Sequence, residues 1–181
     1  RNRINNEGKL KYAHELTSNN KEFIKNLVDI IHIVKATALI GVSGQPSKFD
    51  KMVVEAMLKY NEYPIIFPLS NPTSKSECTA FDAYKWSGNN VLFASGSPFN
   101  IINITGNISV QPSQCNNAYI FPGIALGIIA TKATTIDDNV FIIAAEILAN
   151  MVDINLIQYG IVYPGINDIR KVSFNIAVGI G

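Results

Sequence analysis

An α/β fold is predicted by two observations. Short apolar runs recur at Thr37–Val42, Pro64–Leu69 and Val91–Ser95, and stretches with helical spacing separate them. Each run also stops in a polar, glycine- or proline-containing turn: Ser43-Gly44-Gln45-Pro46, Ser70-Asn71-Pro72-Thr73 and Gly96-Ser97-Pro98. Such an alternation, βαβαβ, builds a parallel sheet with right-handed crossovers. It is half of a doubly wound nucleotide-binding domain of Rossmann-like type. The glycine-rich Gly-x-Gly-x-x-Gly turn of the other half does not occur, so the pattern reads as the second half.

The first 20 residues are polar and read as a ragged edge. Lys21 to Val34 carries Phe23, Ile24, Leu27, Val28, Ile31 and Val34 at the spacing of one helix face, and leads into the first buried strand. Asp50 to Tyr60 repeats the helical spacing through Val53, Val54, Met57 and Leu58. After the second strand, Ser74 and Glu77 stand three apart and predict a capping box opening a helix that ends near Ser87-Gly88. The third strand follows. Gly106-Asn107 between two β-rich runs predicts a hairpin within Ile101–Val110. Pro122 starts or kinks an apolar helix reaching about Lys132. Asp137-Asp138 leads into another at about Val140–Met151, and the tail from Tyr163 is weakly helical. We expect no internal domain boundary.

Composition narrows the function. The chain has 181 residues, 48% apolar and 16% charged, which supports a real core and argues against general disorder. A net charge of +1 without a basic patch argues against a nucleic-acid partner. The most apolar run, Ala118 to Ala130, is too short to span a bilayer and contains Pro122, so a membrane role is not expected. Cys78 and Cys115 form neither a disulfide framework nor a CxxC pair, which favours a reducing compartment: cytoplasm or mitochondrial matrix. No secretory signal opens the chain.

In an open α/β sheet, ligands sit beyond the carboxyl ends of the strands. Small residues there let a flat ring approach the backbone, and an asparagine amide both donates and accepts. The same residues also simply make turns. Asn116 and Asn117, ahead of the apolar helix, read either as anion-holding amides or as a helix cap. Asp137-Asp138 reads as a cap rather than a metal site. His14 and His32 stand alone as surface or packing residues, and Trp86 reads as core. Cys115 has no histidine near it in sequence to make it a nucleophile.

Pro64-Ile65-Ile66-Phe67 with Leu69-Ser70-Asn71-Pro72-Thr73-Ser74-Lys75 and Glu77-Cys78 resembles malic enzyme. So do Phe93-Ala94-Ser95-Gly96-Ser97-Pro98-Phe99, Asn116-Asn117 with Tyr119-Ile120-Phe121-Pro122-Gly123, and Tyr12-Ala13-His14-Glu15. These blocks fall in order across essentially the whole chain. The family oxidises malate to pyruvate and carbon dioxide with NAD or NADP and a divalent metal, Mg or Mn. By resemblance, Asn71, Asn116 and Asn117 bind substrate, Asn71 also lying by the nicotinamide. Val42, Ser43, Leu69 and Ser70 line the dinucleotide. Lys9 falls near a position where lysine accompanies NADP, a slight lean to that coenzyme.

The resemblance implies a homo-oligomer, tetramer or dimer, and a role for this stretch in positioning. The family's lysine base, tyrosine acid, metal carboxylates and glycine-rich loop match sequence preceding this part. Residues 1–181 are therefore expected to be a fragment of the NAD(P)-binding domain, with its first half and the catalytic amino-terminal domain absent, and inactive alone. Ser113 and Cys115 replace family glycines, Gly165 a proline and Ile161 an arginine. The alternative is a divergent, non-catalytic remnant serving as a nucleotide-binding or assembly module.

Overall fold

The computed structural model describes residue 10 and residues 24–104 and 108–181. Helix α1 (Leu27–Val34) begins later than its apolar spacing suggests, because Asn26 and Asp29 form a reciprocal capping box there. Strand β1 (Ala38–Gly41) leads to α2 (Lys51–Leu58), capped by Asp50 accepting the Val53 N–H. Strand β2 (Ile65–Pro68) is followed by a short 3-10 turn at Thr73–Lys75. The next helix, α3 (Ala80–Ser87), is capped by Thr79 and closed by Gly88 in the left-handed region.

The predicted Ser74–Glu77 capping box is therefore wrong. Thr79, whose hydroxyl accepts the Asp82 N–H, opens the helix, and Glu77 turns inward instead. Strand β3 (Leu92–Ser95) completes the third unit. Strands β4 (Ile102–Ile104) and β5 (Ile108–Val110) pair antiparallel as the predicted hairpin, with Gly106 and Asn107 outside the described residues.

A fourth parallel strand, β6 (Ser113–Gln114), joins β3, giving the order β1-β2-β3-β6. Registers run Ala38 to Ile65 and Ile65 to Leu92, so the three long strands finish level. Two residues are too few to show a period, which hid β6 in the sequence. Helix α4 (Phe121–Thr131) starts with Pro122 in its first turn, and α5 (Asp138–Asn150) is capped by Asp137. The tail is more ordered than its composition suggests: α6 (Ile169–Ile180) is a full helix, packed on α4 and α5.

Side chains alternate across β2, and the alternation separates two layers. Ile66 is buried in a cluster with Ile31, Val54, Met57, Tyr84 and Phe93 under α1, α2 and α3. Its neighbour Phe67 meets the Tyr163 ring on the other side, centroids 6.2 Å apart. Tyr163 packs on a second cluster of Tyr119, Ile124, Ala144, Leu148, Val172 and Ile176, from the Asn117–Tyr119 turn and from α4, α5 and α6. The helices of the first cluster thus cover one sheet face, and the second cluster meets the other at Phe67 through Tyr163, while Ile40, paired with Phe67, stays exposed.

Gly123 permits the close α4–α6 contact, since a Cβ there would lie 2.7 Å from Ile176 Cβ. Ile176→Ala should consequently cost about 2–5 kcal/mol in denaturant unfolding, through the lost methyls and the cavity they leave.

One expectation fails at β1. It is an edge strand, not a buried one: Ile40 is 59% and Val42 78% exposed, and β1 pairs with β2 alone among the described residues. No helix among the described residues is long and apolar enough to cross a membrane. Trp86 is half-buried against the first cluster. His32 is a packing residue, its Nδ1 2.9 Å from the Tyr60 hydroxyl.

Candidate site at the carboxyl edge of the sheet

Because the parallel strands end level, the turns after β1, β2 and β3 meet along one edge. Leu69 N–H donates to Gly41 O at 2.7 Å, and Gly44 N–H to Ser70 Oγ at 2.9 Å, tying the first turn to the second. Ser97 donates its hydroxyl to Asn71 Oδ1, tying the second to the third. Cys115 N–H donates to Ser95 O at 2.9 Å, and Gln114 Nε2 to Gly96 O at 3.1 Å, so β6 joins the same edge.

Asn71 is exposed, and a cis peptide links it to Pro72. With Oδ1 held by Ser97, its Nδ2 is the group left to donate to a ligand. Ser97 thus orients the amide, a role the sequence did not assign. Gly96 beneath it is required by space: a Cβ there would lie 2.3 Å from Leu69 O and 3.0 Å from Asn71 Nδ2.

Asn116 and Asn117 are exposed on the far side of the β3 turn. Asn116 Oδ1 accepts the Ala118 N–H at 2.9 Å and caps the short Asn117–Tyr119 turn, but α4 starts after Ile120 without a side-chain cap, so neither asparagine caps the apolar helix as expected. Both asparagines line a cleft of about 260 Å3 with Cys115, Ile120, Phe121 and Tyr163.

Val42 and Ser43 border a hollow of about 400 Å3 at the end of β1, floored by Gly41 and Glu77. Leu69 is half-buried and Ser70 buried. Lys9 lies outside the described residues. The edge therefore gathers Val42, Ser43, Leu69, Ser70 and Asn71 on one side of the β3 turn, and Asn116 and Asn117 on the other. A larger cavity of about 500 Å3 lies under the opposite strand ends and includes none of these residues.

Glu77 is the main residue the sequence reading missed. It is fully buried, and its Oε1 accepts from the Ser43 N–H at 2.8 Å, the Ser43 hydroxyl at 2.7 Å and the Ser70 hydroxyl at 2.6 Å. Burial pushes its pKa up, but the Ser70 and Ser43 hydroxyls and the Ser43 amide outweigh that and hold it below the usual carboxyl range. The available signal was the pair of serines closing two apolar strands, with one acidic residue shortly after.

Ser113 and Cys115 are accommodated. Neither takes a positive φ, so their backbone does not demand glycine. The Ser113 hydroxyl donates to Gly160 O at 3.2 Å and accepts the Val162 N–H at 2.8 Å. Cys115 Sγ lies 3.1 Å from the Tyr163 hydroxyl. Burial pushes the Tyr163 phenol well up, with Cys115 and Tyr119 adding to it, so it stays protonated at neutral pH.

The other thiol, Cys78, is buried and pushed up to about 12, first by burial and then by Asp82 and Glu77. Native protein treated with iodoacetamide at pH 8 should therefore leave Cys78 unmodified by peptide mass spectrometry, and denaturation should expose it.

Level parallel strands joined by helical crossovers, with small polar residues along the carboxyl edge, define the class: a Rossmann-like α/β domain, whose ligands sit beyond the strand ends. The family model described as malic enzyme, NAD binding domain, matches residues 1–181. An NADP-dependent malic enzyme from Populus trichocarpa is 43% identical over 169 residues, covering 93% of this chain and 28% of the relative. The human NADP-dependent malic enzyme is 44% identical over 169 residues, 93% of this chain and 29% of the relative. That of Mus musculus is 44% identical over 174 residues, 96% of this chain and 30% of the relative. The chain belongs to the malic enzyme family, as its NAD-binding domain, and spans under a third of the length of these relatives.

Proposed function

We propose that this chain forms the coenzyme- and substrate-positioning edge of a malic enzyme, which converts malate to pyruvate and carbon dioxide with reduction of NAD(P). The observation that carries the reading is the convergence of the β1, β2, β3 and β6 turns, which brings Ser43, Ser70 and Asn71 to one edge with Asn116 and Asn117 across the β3 turn. The coenzyme accepts the hydride from malate. This chain's part is to hold the two partners in range, worth many orders of magnitude in effective concentration.

Asn71, oriented by Ser97, would donate Nδ2 to a malate carboxylate. Asn117, whose side chain makes no cap, is the freer of the second pair, and Asn116 contributes its amide nitrogen. Val42, Ser43, Leu69 and Ser70 would line the dinucleotide over the hollow at the end of β1. Gly41 is required by space: a Cβ there would lie 2.6 Å from Glu77 Cδ, so glycine leaves the carboxylate its place beneath the hollow. The NADP-dependent relatives favour NADP over NAD, in line with the lean from Lys9.

Residues 1–181 would be the second half of the coenzyme domain. Among the described residues β1 pairs with β2 alone, and its other edge is suited to take further strands of the same sheet, which supports this. Among the described residues, no three His, Cys, Asp or Glu gather as metal ligands. The ligands of a divalent ion, the acid and the base would come from other parts of a longer chain, which we expect to assemble as a homo-oligomer in the cytoplasm or mitochondrial matrix.

The purified 181-residue chain, mixed with malate, Mg or Mn, and NAD or NADP, should give no reduced coenzyme. Turnover by the chain alone would refute the division of labour.

A further inference from the structure

Three successive backbone N–H groups at the end of β1 turn to one side. Gly44, at φ +65°, makes this possible, because alternating right- and left-handed residues form a concave nest of N–H groups that binds anions. Here the nest is filled from within. Ser43 N–H meets Glu77 Oε1 at 2.8 Å. Gly44 N–H donates to Ser70 Oγ at 2.9 Å, and that hydroxyl donates on to Oε1 at 2.6 Å. Gln45 N–H donates to Ser43 Oγ at 3.2 Å, which donates to the same oxygen at 2.7 Å. One buried carboxylate oxygen thus ends three chains of hydrogen bonds, while Oε2 faces the Ser70 N–H at 3.5 Å.

The peptide group is planar and trans, so each inward N–H sends the preceding carbonyl outward. We propose that Glu77 is the positioning residue of the coenzyme edge: it occupies the anion nest after β1 and turns the carbonyls of residues 42–44 toward the ligand. That lining suits donor groups of a nucleotide, its sugar hydroxyls or carboxamide, and leaves no place there for a phosphate. Because Ser70 belongs to the same network and precedes Asn71, the carboxylate also fixes the strand end that carries the substrate amide. The proposal rests on the malic enzyme reading for its ligand, though not for its geometry.

Glu77→Gln keeps the size but removes the charge and sets an NH2 group against Ser70 N–H. In the complete enzyme containing this segment, it should raise the coenzyme KM about tenfold, the worth of one charge-assisted hydrogen bond. The malate KM should rise by a smaller factor, through the Ser70 end of the network that precedes Asn71. Ser43→Ala should move the same constant in the same direction by less. An unchanged coenzyme KM, or equal losses in both KM values with a lowered melting temperature, would overturn the proposal.

If the complete wild-type enzyme containing this segment turns over no malate, the malic enzyme reading falls, and amide hydrogen exchange decides the role of Glu77. Exchange at residues 43–45 about tenfold faster in Glu77→Gln supports the nest, and unchanged exchange refutes it. Should Glu77→Gln fail to fold, Ser43→Ala and Ser70→Ala decide the matter by the same two readings.

Discussion

Asn71→Ala in the complete chain should lower kcat/KM for malate by about a hundredfold, the scale of misplacing a reacting group by about 1 Å. Thermal stability should barely move, because the side chain is exposed and its contact given by the structure is the Ser97 hydroxyl. Ser97→Ala separates orientation from binding. It leaves the Asn71 amide present but free to rotate, so it should reproduce part of the loss. A normal kcat/KM in Asn71→Ala would remove that residue from the site, whatever the fate of the fold.

Gly96→Ala should act on both stability and activity. The added Cβ would lie 2.3 Å from Leu69 O and 2.8 Å from its carbonyl carbon. Backbone cannot swing aside as a side-chain tip does, so β2 and β3 must separate at their carboxyl ends. Overpacking of this kind costs about 2–3 kcal/mol, read as a shift in denaturant midpoint at constant slope. Asn71 and Ser97 sit on the two turns being forced apart, so malate turnover should fall further than the stability loss alone implies. An unchanged midpoint would mean that the turns are not in the contact described.

The sheet was legible because β1, β2 and β3 are apolar runs closed by polar turns, and that pattern states both the strand and its end. Resemblance along ordered blocks then gave Asn71, Asn116 and Asn117 their expected roles. What the sequence hid has specific physical causes. Strand β6 has two residues and no period. Helix α6 holds Val172 and Ile176 at helical spacing, yet its weak local preference is overridden by packing on α4 and α5. The exposure of β1 depends on which strand stands beside it, which a single run cannot state.

Glu77 is the most instructive case. Three residues after Ser74 it fits a capping pattern, and the pattern fails because two serines in the turns after β1 and β2 offer it three hydrogen bonds in the core. A carboxylate is rarely buried without such partners, but the partners lie 34 and 7 residues away in sequence. Only the fold brings them together. The replacement of family glycines by Ser113 and Cys115 was similarly open until the backbone showed no positive φ at either and a bonded Ser113 hydroxyl.

The most direct measurement is a steady-state assay of the complete chain containing this segment, with malate, a divalent metal and NAD or NADP, following reduced coenzyme and pyruvate together. The account predicts equal formation of both, lost on Asn71→Ala in a protein that remains folded. A folded complete chain that forms neither product would contradict it.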